Sequence, residues 1–458
     1  MSFTTINPKN GKAMHVYELD DHHQMEEKLN LCHQSFQNWR ARSVEDRCQL
    51  MQNLKTTLEK HTPEWARLIT DEMGKPIVES RAELKKCAQM IQFYAENGVE
   101  FLQDEPIKTQ YQKSYITYQP QGLIFGIMPW NFPFWQVLRF AVPALITGNV
   151  VVVKHAPNVL GCLHAIQSLF REDGFPDYVY ESLVIEVETV EKVVADPRVR
   201  GVSFTGSEAA GRSVGELAGR HLKKVVLELG GSDAYLVLSN ANVEHAARSC
   251  VASRFINAGQ SCVAAKRWIV HKNVKDEFVQ KVKGFVAEFK LGDPRDEETR
   301  LGPLARQDLR DKVADQVRRS IQGGATVVVG GEGIEVPGSC YYPVTVLEGV
   351  EPGQPAFDEE LFGPVAAIIT VDSDERAIEL ANQSEYGLGG AVFTENLTQG
   401  EDIARTHMDT GGVFVNDFYR SMPALPFGGV KASGMGRELS HHAMYEFANM
   451  KVVVVNDV

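Results

Sequence analysis

Two apolar runs of strand length and a third strand-like run, each released by a turn, restrict what this chain can fold into more than any other feature. Gly122-Leu123-Ile124-Phe125-Gly126-Ile127-Met128 runs into Pro129-Trp130-Asn131-Phe132-Pro133, Val150-Val151-Val152-Val153 delivers Lys154, and Val202-Ser203-Phe204-Thr205 stops on Gly206-Ser207. Strands without polar alternation are buried on both faces, the situation of a parallel sheet covered by helices. Pro133 suits the first turn of a helix, and a helical stretch follows Ser207. The pattern predicts an α/β fold whose open sheet presents ligand-binding groups at the carboxyl ends of its strands. At 458 residues the chain passes the roughly 250–300 at which a single core stops growing, so two or more domains are expected.

From Met25 to Gln103 apolar residues recur at three- and four-residue spacing, interrupted at Gly74-Lys75-Pro76, which predicts a run of amphipathic helices. Residues 1–22 read as a turn-rich start with a short apolar run at His15-Val16-Tyr17. Ser114 to Gln119 alternates like a half-exposed strand, and Lys451 to Asn456 is β-branched and charge-poor. An exposed strand at a chain end pairs across a subunit boundary or tucks into its own sheet. A net charge of −13 disfavours a surface built for nucleic acid or anionic membrane. No apolar window of membrane-spanning length and no basic-then-apolar leader occurs, so a cytoplasmic protein is expected. The seven cysteines include no C-x-x-C pair, which argues against a disulfide framework and against a structural metal site.

Several side chains stand where chemistry could be done. Cys262 follows Asn257-Ala258-Gly259-Gln260-Ser261 and precedes Val263-Ala264-Ala265, company that puts its thiol on an accessible turn, as a nucleophile requires. Glu228 is flanked by apolar strand residues just before Gly230-Gly231. A carboxyl is costly to bury unless paired or protonated, so it is a candidate base of raised pKa. Asn131, at a loop-to-helix junction, could aim its amide at developing negative charge. Lys154 could hydrogen-bond a ribose, and Gly206 and Ser207 could set amides and a hydroxyl against a pyrophosphate at a helix N-terminus. Gly211-Arg212-Ser213-Val214-Gly215 fits the G-x-S-x-G of serine hydrolases, but it falls about two turns past the strand end, whereas a nucleophile elbow is the turn itself.

Gly259-Gln260-Ser261-Cys262, Pro129-Trp130-Asn131-Phe132-Pro133, Phe204-Thr205-Gly206-Ser207, Leu227-Glu228-Leu229-Gly230-Gly231, Glu359-Glu360-Leu361-Phe362-Gly363-Pro364 and Pro426-Phe427-Gly428-Gly429 resemble the motifs of the aldehyde dehydrogenase superfamily. The resemblance is nearly full length and strongest to bacterial succinate semialdehyde dehydrogenases. It implies a Rossmann-type cofactor domain at 1–105 and 121–230, with 433–446 returning to it, and an α/β catalytic domain at 231–432. A β oligomerisation arm at 106–120 and a terminal strand at 447–458 would build a homodimer or homotetramer. It also implies that Cys262 attacks an aldehyde, Asn131 holds the oxyanion and Glu228 activates water. Trp130, Lys154, Pro157, Gly206, Ser207, Gly211, Leu229, Glu360 and Phe362 are the implied cofactor residues.

Phe132, Trp135, Gln136 and Arg139 fall at i, i+3, i+4 and i+7 and share one helix face, where Arg139 offers a fork for a carboxylate. Arg420, in Asp417-Phe418-Tyr419-Arg420-Ser421, could face it, while Ile256 stands where better-known relatives of this type have a second arginine. Trp135, Gln136, Arg139, Ser261 and Arg420 are therefore the expected substrate residues, and a carboxylate-bearing aldehyde such as succinate semialdehyde the expected partner. Pro157 stands where NAD-selective members carry a glutamate, so either NAD or NADP is expected; Ser232 replaces a common lysine without an evident consequence. The alternatives are an aldehyde dehydrogenase for another short aldehyde, a Cys262-Glu228-Lys154 amide or nitrile hydrolase without nicotinamide, and a silent binding protein on the same fold.

Overall fold

The computed structural model describes residues 1–172, 174–331 and 339–456. Residues 173, 332–338 and 457–458, which the expected domains include, lie outside the described residues. An antiparallel hairpin, Ser2–Asn7 with Lys12–Glu18, leads into three helices, α1 (His22–Arg40), α2 (Val44–Met73) and α3 (Ile77–Phe101). Three of these boundaries have a clear local cause. Asp21 and Gln24 form a reciprocal capping box at the start of α1, and the Ser43 hydroxyl accepts from the Asp46 N–H at the start of α2. Gly74 ends α2 in the left-handed region at φ 82°, where a side chain would also run into Pro303.

The apolar runs form a parallel sheet of β1 (Leu123–Met128), β2 (Val150–His155), β3 (Tyr180–Ser182), β4 (Val199–Thr205) and β5 (Lys224–Glu228), in spatial order β3-β2-β1-β4-β5. Every residue of β2 is buried, and each such valine contributes about 1.5–3 kcal/mol relative to an exposed one. Gly434–Met435 closes the β5 edge in antiparallel pairing. Helices α4 (Pro133–Thr147), α5 (Leu160–Glu172) and α6 (Glu208–Arg220) accompany the sheet. All of α4 is buried, with Pro133 in its first turn. The order of strands reverses between β1 and β4, so the loops Pro129–Phe132 and Gly206–Ser207 emerge side by side. A crevice forms at such a reversal because the flanking connections leave to opposite faces.

After α7 (Val243–Phe255), a second sheet runs β8-β9-β10-β7-β6-β11-β12, from β6 (Asp233–Val237), β7 (Ala265–His271), β8 (Thr326–Val329), β9 (Thr345–Glu348), β10 (Val365–Val371), β11 (Gly390–Phe393) and β12 (Val413–Val415). It is parallel apart from the β8–β9 pair. A further helix, α8 (Gln307–Gln322), precedes β8. Lys113–Pro120 and Ala448–Val455 pair antiparallel within the chain, from Pro120 opposite Ala448 to Lys113 opposite Val455, with Glu105–Pro106 as a short third strand. Met450, Val452, Val454 and Val455 remain exposed on this ribbon.

Candidate active site

Cys262 sits on the loop from α7 to β7, and that loop is wound the unfavourable way. Asn257, Ala258 and Gly259 are consecutive left-handed residues at φ 53°, 51° and 74°. A non-glycine residue in such a conformation costs on the order of 1–3 kcal/mol, so surrounding bonds have to hold it. The buried Arg254 guanidinium does so, donating to the carbonyls of Val365 (2.5 Å), Leu361 (2.7 Å), Gly259 (3.2 Å) and Gly363. The Asn257 N–H donates to Glu79 Oε2 at 2.7 Å, and its side-chain amide to the Asn131 carbonyl at 2.8 Å. Gly259 could carry no side chain, since a Cβ there would overlap the Gly363 carbonyl. Six of the seven cysteines are buried, and the loop leaves Cys262 half-buried.

Asn131 ends the turn between β1 and α4, which is itself fastened. Glu83 Oε1 accepts from the N–H groups of Phe134 (2.9 Å) and Trp135 (3.1 Å), supplying a carboxylate to the α4 N-terminus. One Asn131 side-chain N–H donates to the Gln260 carbonyl at 3.1 Å, two residues from Cys262, which leaves the other N–H for a ligand. The Cys262 backbone N–H makes no hydrogen bond to the described residues. Two donors are thus available beside the thiol.

Glu228 closes β5, is 2 % exposed and has no hydrogen-bond partner for Oε1 among the described residues. Burial pushes its carboxyl well above the usual carboxylate range, and the charge of Glu438 pushes the same way against Arg139 and Arg437. The Cys262 thiol is pushed up to about 12, by burial first; Lys266 and Arg139 pull it down, and Glu228 and Glu360 push it up. Lys266 donates to the Cys262 carbonyl at 2.7 Å and pairs with Glu360 at 3.2 Å. Glu360 also accepts from the Gly231 N–H at 3.0 Å.

Two cavities meet at the thiol. One, of about 180 Å³, is lined by α3, α4 and the 418–421 loop, including Trp135, Gln136, Arg139, Ser261, Cys262 and Arg420. The other, of about 300 Å³, occupies the crevice at the strand reversal, lined by Trp130, Asn131, Thr205, Gly206, Ser207, Leu229, Cys262, Glu360 and Phe362 together with Arg306 and Lys312. Thr205 Oγ1 is buried there without a partner among the described residues, and a Cβ on Gly206 would meet the Phe204 ring at 2.5 Å. A polar ligand with phosphates suits this wall, where the first turn of α6 and two cations converge.

The aldehyde dehydrogenase family model matches residues 1–453. The chain belongs to the aldehyde dehydrogenase family. A succinate semialdehyde dehydrogenase [NAD(P)+] of Escherichia coli is 44% identical over 98% of this chain and 97% of its own. A probable succinate-semialdehyde dehydrogenase [NADP(+)] of Synechocystis is 42% identical over 99% of each. Among solved structures, a succinic semialdehyde dehydrogenase from Streptococcus pyogenes in complex with NADP+ superposes with a TM-score of 0.96, at 36% identity, over 99% of this chain and 100% of that one.

In this aldehyde dehydrogenase all five expected substrate residues border the smaller cavity, but two have acquired partners that the sequence did not suggest. Arg139 is ion-paired with the buried Glu438 and lies over the Phe427 ring, and Arg420 holds Asp417 at 2.7 Å and 3.0 Å. Of the expected cofactor residues, Lys154, Pro157 and Gly211 do not line the larger cavity. Lys154 is buried at the end of β2, Pro157 opens a short 3-10 turn, and a Cβ on Gly211 would overlap Leu229, so its bareness lets α6 lie close on the sheet. Ser213 falls inside α6, away from any strand-to-helix elbow. Lys154 borders neither of the two cavities that meet at Cys262, which leaves the hydrolase alternative without its lysine at the thiol. Thr205, Arg306, Lys312, Lys86 and Glu438 went unread in the sequence. Lys86 shares a face of α3 with Glu79 and Glu83 at i, i+4 and i+7, a signal hidden in an ordinary amphipathic helix.

Proposed function

We propose that this aldehyde dehydrogenase oxidises a short aldehyde bearing a carboxylate, succinate semialdehyde first, to the corresponding acid, with NAD or NADP as acceptor. The observation that carries the reading is the position of Cys262, which borders both cavities and is reachable from each. The names of the relatives supply the substrate, and cations bordering the smaller cavity suit it.

In this reading the Cys262 thiolate forms a bond to the aldehyde carbon. The oxyanion is received by the free Asn131 N–H and the Cys262 backbone N–H, an arrangement worth about 3–4 kcal/mol per donor in acyl transfer. Trp130, Gly206, Ser207, Leu229, Glu360 and Phe362 would hold the dinucleotide, with Thr205, Arg306 and Lys312 as further polar groups on the same wall. When bound, its nicotinamide supplies the hydride acceptor that turns the adduct on Cys262 into a thioester. Glu228, once ionised, takes a proton from water, whose oxygen attacks the thioester carbon and returns the thiol. No acidic side chain at Pro157 opposes a 2′-phosphate, consistent with the NADP in the relatives' names. We further assign the Lys113–Pro120 and Ala448–Val455 ribbon to assembly into a homodimer or homotetramer, on the strength of its exposed valines, and the unpaired cysteines suit a reducing cytoplasm. No helix among the described residues is long and apolar enough to cross a membrane.

The test is a panel of semialdehydes and plain aldehydes with both nucleotides. A charge-assisted contact contributes about 1.5–3 kcal/mol, so kcat/KM for succinate semialdehyde should exceed that for butanal by about tenfold to a hundredfold. Equal values would overturn the substrate assignment.

A further inference from the structure

We infer that Lys86 is the group that receives the distal carboxylate of the substrate, a specificity residue supplied by α3 and not by the arginines of α4 and the 418–421 loop. The inference rests on the semialdehyde reading above and deepens it. Three cations border the smaller cavity, Lys86, Arg139 and Arg420. Arg139 is already matched by the buried Glu438 carboxylate, and Arg420 by Asp417 in two hydrogen bonds. Lys86 has no carboxylate within ion-pairing distance among the described residues. Its ammonium donates to the Ser421 hydroxyl at 2.7 Å and stands 4.1 Å from the centre of the Trp135 ring. A half-buried ammonium that has shed water without gaining a counter-charge is destabilised, and an incoming carboxylate removes that penalty. A guanidinium already bound to glutamate gains far less, because the newcomer must displace an equal charge. The wall also carries the rings of Phe132, Trp135, Phe418 and Phe427 and the aliphatic Ile256 and Val263, which suit the short carbon chain between aldehyde and carboxylate.

Burial lowers the Lys86 ammonium to about 8, with Arg139 acting in the same direction and Cys87, Glu83 and Cys262 against it. The groups facing it are therefore Glu83 and Cys87 on its own helix, Arg139 and Trp135 on α4, Cys262 across the cavity and Ser421 on the loop, with Glu79 two helical turns away on the cavity wall. A cation at pH 7 is lost as pH rises through 8, so the KM for a carboxylate-bearing aldehyde should rise there relative to that for butanal, which shares the same thiol.

The test compares Lys86→Met and Lys86→Arg with the parent enzyme on succinate semialdehyde and butanal, and measures succinate as a competitive inhibitor of butanal oxidation. Lys86→Met should raise KM for succinate semialdehyde at least tenfold more than for butanal, abolish the relative rise above pH 8 and weaken inhibition by succinate to a similar degree. Lys86→Arg should restore most of the discrimination at pH 7. If Lys86→Met shifts both aldehydes equally, or neither, while the parent enzyme prefers succinate semialdehyde, Lys86 is not the carboxylate receptor. A parent enzyme that prefers neither aldehyde overturns the substrate reading itself, and the inference with it.

Discussion

Cys262 lies among charges of both signs, and the sum leaves it a thiol in the resting protein, pushed up to about 12. Only the thiolate attacks, and while the pH lies below that value its fraction grows tenfold for each unit by which the pH rises. Alkylation of Cys262 by iodoacetamide, read by peptide mass, should therefore accelerate about tenfold per unit between pH 7 and 9; a rate flat over that range would mean the thiolate is already formed. Glu228 titrates with the same sign, since a base held neutral by burial and by Glu438 has to ionise before it can act. Glu228→Gln should keep the initial burst of reduced nucleotide and slow the following steady state by about a hundredfold or more. The motifs around both residues were readable because each is a local string. Glu438 was not, as its importance lies in standing beside Glu228 and Arg139, neighbours in space that are remote in sequence.

Helices and loops set these groups in place. Gly259→Ala would strain a left-handed turn and drive a methyl into the Gly363 carbonyl, so loss of activity together with about 1–3 kcal/mol of stability is expected in urea unfolding. Glu83 accepts two N–H groups at the head of α4 and is ion-paired with the buried Lys75. Removing one partner of a buried pair costs about 3–5 kcal/mol, and Glu83→Gln should approach that value and disturb the Asn131 turn with it. Apolar patterning announced β1, β2 and the leading run of helices, because burial dictates period and length, and the strand-like run before Gly206 announced β4. The side on which α3 would meet α4 could not be read the same way. Glu83 and Lys86 look like the solvated charges of any amphipathic helix until the tertiary packing turns that face inward.

Across the whole molecule, one crevice at a strand reversal and one cavity between α3, α4 and a distant loop open onto the same sulfur. Two or more domains were foreseeable from length, whereas their relative placement depends on contacts such as Leu229 N–H to the Ser433 carbonyl at 3.0 Å, which no local pattern encodes. Deleting residues 448–456 would strip the arm strand Lys113–Pro120 of its eight-residue partner and should lower the sedimentation coefficient of the assembly; an unchanged value would contradict assembly through this ribbon. The convergence on Cys262 is tested most directly by mass spectrometry of Glu228→Gln after mixing with succinate semialdehyde and NADP. The account predicts one equivalent of a succinyl thioester on the Cys262 peptide. A protein that forms reduced nucleotide with no acyl group on that cysteine would contradict it.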